Sequence, residues 1–190
     1  MPTTLAIRRR RRLWKRGIGL PGDNSKIISV ARYLTSKIDA PVLGGIAVIL
    51  HGYLRTTVDL DLYTSDRAMT NAQLRSAGAR WDTARREHLY DDVRIHTVTP
   101  DDAGHVVERV STIDGVRVVS LKDLIIIKLR CGLNNAHRGK DIGDVTELIG
   151  AVPLDKRFAG KLPTDLRAEF KKLVDAVRAA EKVRKNLPRF

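Results

Sequence analysis

The chain has 190 residues, a hydrophobic fraction of 43% and a net charge of +13, which is length enough for one domain with a normal core and a short appendage. No apolar run approaches the roughly 20 residues that a membrane helix needs, the longest candidate lying around Leu124 to Leu129. The single cysteine, Cys131, rules out an internal disulfide, reads as a small buried residue and fits a reducing compartment such as the cytoplasm.

The charge is carried by the ends. Residues 1–16 hold six Arg and one Lys without an acid, residues 156–190 hold eleven basic side chains against four acidic ones, and residues 17–155 are left at −1. Such termini suit a polyanionic partner, RNA or tRNA among them, or serve as solvated tails. Behind the run Arg8 to Arg12 stand Leu13, Trp14, Lys15, Arg16 and Gly17, so no secretory or twin-arginine signal is expected.

In chain order, residues 1–23 read as a basic, flexible arm. Ile27, Ala31, Leu34 and Ile38 recur at helical spacing. Pro41 to Leu43 read as a strand, Gly44-Gly45 as a tight turn, and Ile46 to His51 as a short helix ending at Gly52. From Thr57 to Tyr63 the pattern alternates, with Val58, Leu60 and Leu62 on one face and Asp59, Asp61 and Tyr63 on the other. A helix is expected over Asn71 to Ala77, then two or three short strands between Ala79 and Thr99. A turn at Asp114-Gly115 precedes a strand over Val116 to Val119. Ser120 reads as the N-cap of a helix from Leu121 to Arg130 closed by Gly132, and a second helix runs from Arg138 to Ile149. A basic linker leads to a last helix with Leu166, Phe170, Leu173 and Val177 on one face. The predicted organisation is an arm at 1–23, a domain over 24–152 and a C-terminal helical segment over 153–190.

The chemistry gathers between Gly44 and Asp61. A glycine pair between strand and helix lets backbone N–H groups approach phosphate oxygens, with the helix N-terminus adding partial positive charge. Asp59 and Asp61 follow on one strand face, roughly 7 Å apart along the chain, where two carboxylates share a hard divalent cation that also takes phosphate oxygens. Arg55 lies between the two elements, placed for a phosphate or for a surface salt bridge. On the later helix, Asp141 falls inside the apolar arc of Ile142, Val145, Leu148 and Ile149, so it needs a cation, a donor or a metal. Lys128 is a lone charge on an almost wholly apolar helix, either snorkelling to the surface or paired.

The run from Leu43 to Tyr63 resembles the signature of polymerase-β-like nucleotidyltransferases: Gly-Gly or Gly-Ser, about a dozen residues, then Asp-x-Asp. With His51-Gly52 and Arg55-Thr56 ahead of the acids it is similar to the AbiEii-type branch, which includes toxins of toxin–antitoxin and phage-defence systems. A second block, Leu121, Leu124, Ile125, Lys128 and Leu129 followed by His137-Arg138, Lys140-Asp141 and Asp144-Val145, resembles that branch's lysine helix and Arg-x-Lys-Asp-x-x-Asp helix. The resemblance implies an α/β (α+β) nucleotidyltransferase fold, a mixed sheet flanked by helices. It implies Mg2+ or Mn2+ on Asp59 and Asp61 and a nucleoside triphosphate on Gly44, Gly45, Arg55, Thr56 and Lys140. Lys128 and Asp141 complete the catalytic set that it implies, with a cognate antitoxin as partner; His96 joins the candidates from this sequence's own departure from the pattern.

Two departures stand out. The strand Asp92 to Val98 carries His96 where the fold usually places a third carboxylate, with Asp91 or Asp92 as substitutes, and Gly45 replaces the serine many relatives carry. Two readings therefore stay open: an enzyme moving a nucleoside monophosphate from a triphosphate onto a hydroxyl of RNA, protein or a small molecule, and a binding protein on the same fold without transfer. A third is a basic nucleic-acid-binding module indifferent to Asp59.

Overall fold

The computed structural model describes residues 24–152 and 154–186; the expected arm at 1–23 lies outside them. The chain opens with helix α1 (Ser25–Lys37), followed by β1 (Val42–Leu43), α2 (Gly44–His51), β2 (Asp59–Tyr63), α3 (Arg67–Ser76), β3 (Arg80–Asp82), β4 (Glu87–Tyr90) and β5 (Val93–Val98). After a short helix α4 (Pro100–Ala103) come β6 (Val110–Ile113), β7 (Val116–Val119), α5 (Leu121–Asn134), a 3-10 turn (Ala136–Arg138) and α6 (Gly139–Ala151). A second 3-10 stretch (Lys156–Lys161) leads to α7 (Thr164–Asn186).

The strands form one mixed sheet in the order β3-β4-β5-β2-β1-β7-β6. β2 runs antiparallel to β1 and parallel to β5, and β1 runs parallel to β7. Alternation along β2 buries Leu60 and Leu62 completely, so Asp59 and Asp61 lie on the opposite face. α1 contributes Ile27, Ala31 and Leu34 to the main core with Leu60, Leu62 and Ile95. The turn at Asp114-Gly115 has positive φ at both residues, the backbone that a two-residue hairpin between β6 and β7 requires.

α5 is apolar on nearly every side because it serves two cores. Leu124 and Ile127 pack into the sheet core, whereas Ile125, Ile126 and Leu129 join Val145, Ile149, Leu166 and Phe170 in a second cluster between α5, α6 and α7. Each such fully buried side chain contributes about 1.5–3 kcal/mol. The helix does not stop at Gly132 as its sequence suggested but continues to Asn134. A Cβ on Gly132 would stand 2.7 Å from Ile142 Cδ1 and Cγ1, so this glycine admits α6 to close contact rather than ending α5. Thr57 and Val58 likewise fall outside β2, Val58 being 67% exposed. Among the described residues no helix is long and apolar enough to cross a membrane.

Candidate active site

β1 ends where the backbone of Gly44 turns to φ +64° and α2 begins. No side chain caps this helix and no acid stands in its first turn, so its first N–H groups are left without a side-chain acceptor. A Cβ on Gly44 would lie 1.8 Å from Asp61 Oδ2, and one on Gly45 would lie 2.5 Å from Thr57 Oγ1 and 3.0 Å from Arg55 Nη2. The glycine pair is therefore the contact surface between the helix start and the acidic strand. At its other end, α2 is tied to the sheet by His51, whose Nε2–H donates to the Val119 carbonyl at 2.7 Å. Burial pushes the His51 pKa down, against that hydrogen bond.

Asp59 and Asp61 project from β2 into a cavity of about 360 Å3 lined by Gly44, Gly45, Arg55, Thr57, Lys128, Arg138, Lys140 and Asp141. Asp59 Oδ1 accepts from the Thr57 hydroxyl at 3.0 Å. Asp61 is paired in register with His96 on β5, and His96 Nδ1 lies 3.5 Å from Asp61 Oδ1. The other imidazole nitrogen meets Glu87 Oε2 at 3.0 Å. Glu87 stands on β4, is 6% exposed, and its Oε1 is buried without a hydrogen-bond partner. The Asp61 carboxylate, with Glu87 behind, overcomes partial burial and raises the His96 pKa to about 9.

The far wall is a charge network built on buried Lys128, Asp141 and Asp144. Lys128 Nζ lies 2.6 Å from Asp141 Oδ1 and 2.7 Å from Asp144 Oδ2. Arg138 Nε meets Asp141 Oδ2 at 2.7 Å, and Arg55 reaches Asp144 through Nη2 at 3.2 Å and Nε at 2.9 Å. Burial pushes the Asp141 pKa up, but Lys128 and Arg138 outweigh it and hold the carboxyl below its ordinary value. The 53–58 loop that carries Arg55 is pinned from α1's start: Asn24 Nδ2 donates to the Arg55 carbonyl at 2.7 Å and Asn24 Oδ1 accepts from Thr57 N–H at 3.3 Å.

Gly44, Gly45, Arg55, Asp59, Asp61, Lys128, Lys140 and Asp141 thus line one cavity, with His96 against Asp61 at its edge. Thr56 does not join them: it is exposed, and its neighbour Thr57 takes the inward position. Asp91 and Asp92 are no substitute for a third acid, because both sit in the β4–β5 turn with positive φ and pair with Lys26. Five participants were not singled out as site residues: Asn24, Thr57, Glu87, Arg138 and Asp144. Thr57 had a signal in its place on the acid face of the alternating segment, and Arg138 and Asp144 in lying three residues on either side of Asp141; Glu87 and Asn24 had none. The carboxylate pair, the glycine cradle and the surrounding cations fit a hard divalent ion that carries phosphates. No group of three His, Cys, Asp or Glu among the described residues is arranged to hold a metal by itself, so ligand oxygens would complete the shell.

No protein-family model matches the chain, and no curated protein does. Among solved structures it is similar to an H. pylori protein assigned as a nucleotidyltransferase, at 13% sequence identity and a TM-score of 0.52, over 87% of this chain and 97% of that one. It is also similar to an antigenic nucleotidyltransferase-like protein from Paracoccidioides brasiliensis, at 18% identity and a TM-score of 0.49, over 83% of this chain and 87% of that one. At such identities the likeness speaks to architecture alone. The seven-stranded mixed sheet with its flanking helices is a nucleotidyltransferase fold.

Proposed function

We propose that the protein is a Mg2+- or Mn2+-dependent nucleotidyltransferase that moves a nucleoside monophosphate from a triphosphate onto a hydroxyl acceptor, with RNA or tRNA preferred. The observation that carries this reading is the approach of Gly44 to Asp61, 1.8 Å from a Cβ position to a carboxylate oxygen, in a cavity bordered by four cationic side chains. The N–H groups that open α2 bind terminal phosphate oxygens. Lys128, Arg138, Lys140 and Arg55 balance the charge of the triphosphate and of the departing pyrophosphate. Asp59 and Asp61 would hold the divalent cation, which supplies charge neutralisation at the α-phosphate when bound. The acceptor hydroxyl forms a bond to the α-phosphorus as the bond to pyrophosphate breaks, and its proton passes to solvent water beside Asp61. The basic termini supply phosphate contacts for a nucleic-acid acceptor.

A second reading, binding without transfer, is favoured by one observation: His96 sits between two carboxylates with its pKa raised to about 9, so in the metal-free protein it holds a proton at neutral pH instead of accepting one. Incubation with each labelled triphosphate, Mg2+ or Mn2+ and total RNA separates the two. Label transferred to RNA or protein, and lost in Asp59→Ala, supports the enzyme; nucleotide bound without label transfer refutes transfer and leaves the binding protein. Transfer unaffected by Asp59→Ala removes both. The AbiEii-type resemblance of residues 41–63 and 115–150 adds a cytoplasmic toxin role with a cognate antitoxin, tested by growth arrest on expression.

A further inference from the structure

We infer that this site holds one divalent cation and not two, because an imidazole anchored by Glu87 occupies the acceptor side of Asp61. The inference rests on the metal-nucleotide reading above and says how many ions the acidic strand accepts.

A two-ion centre places its ions roughly 3.5–4 Å apart and needs carboxylate oxygens to serve both. Here the two acids of β2 have their oxygens divided. Asp61 Oδ2 faces Gly44, on the phosphate side, whereas Asp61 Oδ1 faces His96 Nδ1 at 3.5 Å. Asp59 Oδ1 is engaged by the Thr57 hydroxyl. One oxygen of Asp61 is thus directed to the cavity and the other is met by a ring nitrogen.

The imidazole is held from behind. Glu87 Oε2 binds its Nε2 at 3.0 Å, and the Glu87 side chain is 6% exposed with Oε1 already unpartnered. Swinging the ring away to admit an ion would strand a buried carboxylate without any hydrogen bond, which is costly. The position that the register sets opposite Asp61 is thereby filled by a nitrogen donor, a poorer ligand for a hard cation than an oxygen. Asp91 and Asp92, turned to Lys26, bring no replacement oxygen.

The test counts ions. The whole chain, freed of metal, is dialysed to equilibrium against Mn2+ and saturating non-hydrolysable triphosphate, and bound Mn2+ per chain is obtained as the excess of total Mn2+ on the protein side over the protein-free side. One Mn2+ per chain is expected, rising to two in His96→Asp, which restores an oxygen donor beside Asp61. Two ions in the wild-type protein overturn the inference and leave the nucleotidyltransferase reading standing. A folded His96→Asp variant that stays at one ion overturns the assignment to His96. If that variant does not fold, the wild-type count still decides. No ion and no nucleotide bound overturns the underlying reading and this inference with it.

Discussion

Replacing Gly44 by alanine tests the link between the helix start and the acidic strand. The added Cβ would stand 1.8 Å from Asp61 Oδ2, and to reach an ordinary 3.4 Å contact the carboxylate has to retreat by about 1.6 Å. The φ of +64° adds a left-handed backbone penalty of about 1–2 kcal/mol for a residue with a Cβ. For a chain of this size that penalty lowers the melting temperature by about 2–8 °C, a loss the fold survives. Function is hit harder, because a shift of roughly 1 Å at a reacting group costs about 100-fold in rate. Thermal melts and label transfer with the same triphosphate read the two effects separately. A Gly44→Ala protein that melts within about 1 °C of wild type and transfers label at an undiminished rate would refute the argument that this glycine forms the floor of the phosphate site.

Two further outcomes follow from the charges. Lys128→Met removes the cation shared by Asp141 and Asp144 and is expected to destabilise the protein by about 3 kcal/mol in urea unfolding, the low end for breaking a buried pair because Arg138 and Arg55 remain; a change under about 0.5 kcal/mol counts against a structural role for the network. In metal-free protein, the His96 pKa is raised from 6.5 to about 9 on folding. Its contribution to stability is therefore complete below about pH 6.5 and is lost as the pH rises through about 9. Melting curves in chelator across that window should show the loss in wild type and not in His96→Gln.

Local patterns made part of the site legible. A period of two over residues 58–63 placed Asp59 and Asp61 on one face, and helical spacing placed Asp141 inside an apolar arc, where it meets Lys128 and Arg138. What local pattern does not carry is register between distant strands and contact between helices. Glu87 belongs to the site because β4 lies antiparallel beside β5 with His88 opposite Ile95, and nothing within Glu87 to Tyr90 announces that pairing. Asn24 acts on a loop 31 residues away. Thr56 entered through the resemblance alone, whereas the alternation beginning at Thr57 already set Thr57 on the face of Asp59 and Asp61, which is the inward side. At Gly132 the residue that commonly ends helices serves interhelical packing against Ile142, a role that requires knowing where α6 lies.

The charge network on the cavity wall has an arithmetic consequence. Lys128, Arg55 and Arg138 face Asp141 and Asp144, three positive charges against two negative ones. The four fixed by packed helices or by the Asn24-pinned loop, Lys128, Arg55, Asp141 and Asp144, balance to zero, and the surplus positive charge is carried by Arg138, whose side chain is 48% exposed. An arriving polyanion therefore meets paired charges whose orientation was set during folding, which spares the reorganisation that water would require, while Arg138 supplies the net attraction.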